Sequence, residues 1–295
     1  MDLHRGSFEQ VIDWNDPSIA WEGRGLDRGL RGIAFQGDSV YLAASDELFV
    51  YDRDFKLQTS FRNPYLKHCH ETFISGHALY LTSTGFDSVL EFDVVAQRFV
   101  RGWCLRHEPA GSSGSWTIPW RRPHPALRCR LFDPEASDGP AAGDTWHLNS
   151  VTAAAGCLFV SGTGERTVAK ITGNEVSRYA TIPTGSHNAR PYRKGVIFND
   201  TNAGAVRITD RNGRVLATFP VVHYPPEELL YSSLPKDHAR QAFGRGLCTT
   251  GDLVIGGSSP ATISVYDVAR HRLLKTVNLS MDVRNAIHGL ELWPF

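Results

Sequence analysis

The sequence predicts an all-β fold, a six-bladed β-propeller in one domain spanning residues 1–295. Three observations carry this. Helical periodicity is almost absent; short apolar or alternating runs recur between Gly, Asp, Asn and Ser; and the runs repeat in a fixed order about every 40 residues. The 41% hydrophobic content is enough for a full core.

The first unit opens at Arg31 and reads RGIAFQGDSVYLAASDELFVYDRDFKLQTSF. It has an apolar strand, a turn led by Gly37, a second strand, a third ending in Tyr-Asp at Asp52, and a fourth. The order restarts at His70 with Gly76 and Asp93, at His147 with Gly156, at His187 with Gly195 and Asp210, and at Arg245 with Gly251 and Asp267. A last strand, GLELWPF, follows His288. Two gaps exceed the unit by roughly 38 and 18 residues, marking insertions at about 104–143 and 223–242. The N-terminal string EQVIDW then supplies the third strand of the last blade, ending at Asp13, and SIAWEGR its outer strand. Both chain ends would close that blade and remove a free sheet edge.

Aligned on their inner strands, the units begin with Arg31, His70, His147, His187, Arg245 and His288. Inner strands of a propeller line its channel, and their entrances share one face. The ring and both insertions are therefore expected to converge on one channel mouth, where loops on a rigid scaffold carry function.

Four histidines aimed at one axis can bind a transition metal, since neutral imidazole suits iron, zinc and copper. His70, His147, His187 and His288 are the candidate metal ligands, with Fe(II) first and Zn, Cu or Mn as alternatives. His68, two residues before His70, is the reserve ligand. Glu71, Asn149 and Glu291 are candidate catalytic or ligand-orienting groups. Arg31, Arg190, Arg245 and Asn188 are candidate contacts to an anionic small molecule or peptide side chain, because guanidinium pairs with carboxylate and phosphate.

Three functions stay open: an Fe(II) oxidoreductase or oxygenase, a metal-independent His/Arg lyase, epimerase or cyclase, and a non-catalytic binding propeller. A polar structural plug of the channel is the plain alternative to all three. The first insertion holds Trp116 and Trp120, with Trp103 in its approach and six Arg between 101 and 130, as a lid over an anionic substrate would. The second holds Tyr224 and Tyr231. Cys248 reads as a small core residue.

Charge narrows the partners. Lys+Arg and Asp+Glu each total 31, so a dedicated nucleic-acid binder is not expected. No apolar run reaches the ~20 residues that span a bilayer. The start, MDLHRGSFEQ, shows no apolar signal region, and a cytoplasmic protein is the expectation. Five cysteines without close pairs do not form a disulfide framework.

The histidine layout resembles that of carotenoid cleavage oxygenases, propellers that hold Fe(II) with four histidines from different blades. The likeness is one of arrangement and implies neither substrate nor reaction. The motifs WHLNSV, SHNARP, GRGLC and IHGLELWP together look like an uncharacterised bacterial family of propeller-like proteins, over about residues 65–295. That resemblance implies that His147, Asn149, His187, Arg190, Arg245 and Gly246 share one cluster. Sugar lactonases of the regucalcin type are also six-bladed, but hold their metal with Glu, Asn and Asp where histidine dominates here.

Overall fold

A computed structural model describes residues 1–2, 5–12, 29–107, 127–234 and 240–295. Among these, the strands form five antiparallel sheets, each ordered as in the chain. The first holds β1 (Gly32–Gln36), β2 (Ser39–Ala43), β3 (Glu47–Asp52) and β4 (Leu57–Arg62). The second holds β5 (Thr72–Ser75), β6 (Ala78–Ser83), β7 (Ser88–Asp93), β8 (Arg98–His107) and β9 (Leu127–Phe132). The third comprises β10 (Leu148–Ala154), β11 (Cys157–Gly162), β12 (Thr167–Thr172) and β13 (Glu175–Thr181). The fourth runs through β14 (Ser186–Tyr192), β15 (Gly195–Asp200), β16 (Ala205–Thr209) and β17 (Val215–Pro220). The fifth comprises β18 (Phe243–Thr250), β19 (Leu253–Ser259), β20 (Thr262–Asp267) and β21 (Arg272–Asn278). The first strands of successive sheets touch, β1 to β5, β5 to β10, β10 to β14 and β14 to β18, so they are the innermost strands.

The blade count is therefore five, and the expectation of six is overturned. The segment after Arg284 follows the path of an inner strand but joins no ladder. A strand needs a partner for its N–H and C=O groups. Residues 5–12 supply none, their neighbourhood holding only the isolated bridge Asp2–Ser7. Asp13 and SIAWEGR lie outside the described residues, so closure by both termini is not seen.

The tail instead lies in the seam between the fifth and first sheets. A Cβ on Gly289 would meet the Arg31 carbonyl oxygen at 2.3 Å, and one on Gly257 would meet Ile287. Ile287 and Leu290 pack on Cys248, Ile255 and Ile263, while Trp293 stacks on Phe55 with centroids 5.4 Å apart. The other four seams bury apolar side chains of two neighbouring sheets, such as Leu48 with Leu79 and Leu90, or Val89 with Leu148 and Val160. Each such side chain contributes about 1.5–3 kcal/mol.

Third strands end at Asp52, Asp93 and Asp267, and Asp210 directly follows β16, because the carboxylate caps the next turn. Asp93 Oδ1 accepts the Val95 and Ala96 N–H groups at 2.9 Å, and Asp210 Oδ1 accepts those of Asn212 and Arg214. Gly76 and Gly156 stand at φ +61° and +73° in the hairpins that follow inner strands, a left-handed conformation that disfavours a Cβ.

The first insertion is partly sheet. Residues 104–107 continue β8, β9 adds a fifth strand, and Trp116 and Trp120 lie outside the described residues. Trp103 is buried in β8, its Nε1 donating to the Gly173 carbonyl. In the second insertion, Tyr224 pairs its hydroxyl with Thr262 at 3.2 Å, while Tyr231 is exposed with Arg284 over its ring. Among the described residues no helix is long and apolar enough to cross a membrane.

Candidate functional site

Five of the six ring residues stand at the entrances of inner strands. Arg31 and His147 directly precede β1 and β10, His70 stands two before β5, and His187 and Arg245 lie at the start of β14 and β18. His288 holds the sixth place from the tail, without a sheet behind it. Three inner strands carry a one-residue bulge at this level: between Leu148 and Ser150, His187 and Arg190, and Gly244 and Leu247. A bulge re-aims side chains, which suits a strand entrance at a site.

Two of the imidazoles meet guanidinium groups. Arg31 Nη1 donates to His70 Nδ1 at 3.0 Å and lies 3.3 Å from its Nε2. Arg245 Nη1 donates to His288 Nε2 at 3.2 Å. In both pairs the Arg of one ring position serves the His of the next. Burial, then the nearby guanidinium charge, pushes both imidazoles well below the usual histidine range. They are neutral and act as acceptors.

The other two are held by oxygen. His147 Nδ1 lies 3.1 Å from both Asp144 carboxylate oxygens, and its ring sits 5.1 Å from that of His70. His187 Nδ1 donates to the Gly185 carbonyl at 3.2 Å, and the ring packs edge-on against Phe243. Burial pushes the His187 imidazole down to about 3, with the Arg245 charge adding to it. In both residues the partner on Nδ1 is an oxygen, which in a neutral ring favours the tautomer with the proton on Nδ1.

Asp87 fixes the loop that carries the His147 pair. Its fully buried carboxylate accepts the backbone N–H groups of Thr145 at 2.8 Å and Trp146 at 2.9 Å, and Arg106 Nη1 at 2.8 Å. The loop between Asp144 and His147 is thus clamped from below. Neither Asp144 nor Asp87 was singled out by the sequence reading. The spacing Asp-x-x-His was the available signal for the first; nothing local marks the second.

Beneath the ring a buried polar network ties four blades together. Glu71 Oε1 accepts Arg190 Nη2 at 2.5 Å and Asn188 Nδ2 at 3.3 Å, and its Oε2 accepts the Val151 N–H. Asn188 Oδ1 accepts the Gly246 N–H and Asn199 Nδ2, both at 3.0 Å. Burial raises the Glu71 carboxyl above its ordinary value, and the Arg190 charge opposes this. The Arg190 guanidinium thus meets a carboxylate in this network. Asn149 is buried in the same layer, donating to the Ser186 carbonyl, while its Oδ1 meets no partner among the described residues.

Glu291 lies elsewhere. It is exposed, its Oε1 accepts the Leu292 N–H, and it lines a cavity of about 520 Å3 in the tail seam with Ile33, Phe35, Leu290 and Trp293. His68 also stands outside the ring, on a pocket of about 490 Å3 with Ser45, Arg62 and Lys67. Cys248 is buried, and burial pushes its thiol up to about 12, as suits a core position.

The four imidazoles do not fit a metal centre in this arrangement. A guanidinium N–H already points at a ring nitrogen of both His70 and His288. Among the described residues no group of three or more His, Cys, Asp or Glu side chains converges as a ligand set. What the mouth presents is a carboxylate-oriented imidazole beside two imidazole-held guanidinium groups.

No protein-family model matches the chain, and no curated protein matches it in sequence. Solved structures resemble it at low identity. The computationally designed Ika8 protein aligns over 90% of each chain with 10% identity and a TM-score of 0.47. BamB from Moraxella catarrhalis covers 90% of this chain and 77% of its own, with 14% identity and a TM-score of 0.45. The Neurospora crassa Pan2 WD40 domain covers 86% and 68%, with 14% identity and a TM-score of 0.47. The chain is a β-propeller. That statement stands on its own five sheets, and the resemblance to an uncharacterised bacterial family has no matching family model.

Proposed function

We propose that this propeller is an enzyme that binds a small anionic molecule at the channel mouth and moves a proton on it, with His147 as the acid–base group. The observation that supports the reading is the Asp144–His147 pair standing in the same ring as the Arg31 and Arg245 guanidiniums. His147 Nε2 takes a proton from the carbon next to a carboxylate, and the electron pair moves into that carboxylate. The guanidiniums stabilise the charge that develops there. Delivery of a proton to the opposite face of that carbon gives epimerisation; loss of a neighbouring leaving group gives elimination. Arg190, engaged with Glu71, supports the floor of the site, and substrate orientation falls to Arg31 and Arg245.

A second reading, the metal-dependent oxidoreductase, draws on one observation. The Nδ1 groups of His147 and His187 both face oxygen, as in metal-ligating histidines. It requires Arg31 and Arg245 to leave His70 and His288.

One experiment separates the two. Small carboxylic acids are incubated with the protein in D2O, and loss of the proton beside the carboxylate is followed by NMR. Exchange that survives chelation and disappears in His147→Ala is expected. Exchange lost on chelation and restored by Fe(II) selects the metal reading, and absence of exchange across the panel removes the catalytic proposal.

A further inference from the structure

We infer that the cavity in the tail seam binds a small organic cation, an alkylated ammonium group carried on an apolar body. The site is separate from the channel mouth and does not rest on the reading given for it.

The tail fills its seam only in part. It contributes Leu290 and Trp293 on one extended segment, and a space of about 520 Å3 stays open between them and the two flanking sheets. That is the size of a small-molecule site. Ile33 of the first sheet and Ile255 of the fifth give it apolar walls. Three aromatic rings join them. Trp293 stacks on Phe55 and meets Phe35 edge-on, both with centroids 5.4 Å apart, and is still 49% exposed. A fourth ring, that of Phe295, stands 4.9 Å from Trp293. Aromatic faces attract cations through their quadrupole, and indole does so most strongly.

Charge at the cavity has the matching sign. Asp2, Glu9 and Glu291 line it, against the amino group of Met1. Asp2 is engaged with Arg5, whose Nε lies 3.6 Å from its Oδ2. Glu9 and Glu291 form no ion pair among the described residues. Glu291 is held by its own backbone, its Oε1 accepting the Leu292 N–H at 2.9 Å, which leaves Oε2 as an acceptor for a ligand. Its charge is felt inside the cavity. Cys248 also lines that space, and its thiol is pushed up to about 12, by burial first and by the Glu291 carboxylate next. A primary ammonium needs several hydrogen-bond acceptors and gives up hydration in an apolar space. An alkylated one spreads its charge over methyl groups that lie against aromatic rings with no hydrogen bond left unmade. Exposed ion pairs contribute little alone, so discrimination comes from rings and carboxylates acting on the same charge, while the apolar body adds its own burial.

The test uses ligand-observed NMR on the unmodified full-length protein at low salt. It compares choline with its neutral isostere, in which carbon replaces the nitrogen, and adds benzyltrimethylammonium as a cation with a larger apolar body. Choline is expected to bind about ten-fold or more tighter than the isostere, and benzyltrimethylammonium tighter still. Glu9→Gln and Glu291→Gln, with folding checked by thermal melting, are each expected to weaken both cations about three-fold and to leave the isostere unchanged. Trp293→Ala is expected to weaken all three compounds, since it removes a wall. Equal binding of choline and the isostere would overturn the inference, as would cation binding that survives both Glu substitutions together. Failure of every compound to bind at millimolar concentration would also overturn it, whether a second copy or another part of the chain covers the cavity.

Discussion

Both carboxylate oxygens of Asp144 lie 3.1 Å from Nδ1 of His147, three residues along the chain. In a neutral ring this contact favours the tautomer with the proton on Nδ1 and the lone pair on Nε2. In Asp144→Ala the ring loses this constraint and reverts toward the Nε2–H tautomer that free histidine favours. Long-range 15N–1H NMR on selectively labelled protein reads this directly. An Nε2–H tautomer of His147 in the unmodified protein would remove the residue from the base role.

Acid stability follows from the imidazoles. His187 is lowered to about 3, and His70 and His288 are also lowered, against an ordinary value of 6.5. The unfolded chain therefore binds more protons than the folded one below pH 6.5. The stabilisation is complete above that value and is lost as the pH falls through the window toward the folded values. Each of the three adds a slope of about 1.4 kcal/mol per pH unit inside its window. Glu71, raised by burial, acts in the opposite sense above its ordinary 4.5. The melting temperature is expected to fall steadily from pH 7 to pH 5, and less steeply in His187→Asn. A flat profile would contradict the buried, neutral state of the ring.

Asn188 is predicted to be among the most sensitive positions. It stands at φ +55° and joins Glu71, Asn199 and the Gly246 N–H in one buried network. Asn188→Ala leaves these groups unsatisfied and places a Cβ without a compensating side-chain bond in a left-handed conformation. The cost is about 3 kcal/mol or more. Asn188→Gly loses the same bonds but not the backbone preference, and should recover about 1 kcal/mol of it. Urea denaturation of the two variants measures the difference; equal midpoints would mean that the backbone conformation carries no cost.

The tail should be indispensable although it forms no sheet. Trp293 stacks on Phe55 and meets Phe35 edge-on at 5.4 Å. It is 49% exposed, so Trp293→Ala is expected to cost about 1–2 kcal/mol. Deletion of residues 285–295 also removes Ile287 and Leu290 and should abolish two-state unfolding. A truncated chain that melts as the full one does would show that the seam is held otherwise.

Much of the blade repeat was legible because it is written in local chemistry. The Asp that ends a third strand caps a turn, and the glycines of the inner hairpins Gly76 and Gly156 sit at positive φ; both leave a mark in sequence. Five ring members were legible for the same reason, since each stands at the entrance of an inner strand; His288 stands on the tail, where no strand forms. The number of blades was not. GLELWPF has the alternation and the leading His of an inner strand, but whether a strand forms depends on a partner edge, which its own residues do not encode. Nor do ring positions reveal who bonds whom: His70 and His288 meet guanidiniums, and Arg190 turns to Glu71. Glu291 follows His288 closely in sequence yet faces the seam, because the extended tail carries it away from the mouth.

The tail gives the propeller a joint unlike its other four. Those are sheet against sheet and need many side chains to part at once, whereas among the described residues this one is filled by the extended tail, with residues of the N-terminal segment beside it. The same tail carries His288, the acceptor that steadies Arg245. Release of the tail therefore parts the seam and takes His288 from Arg245 in one event.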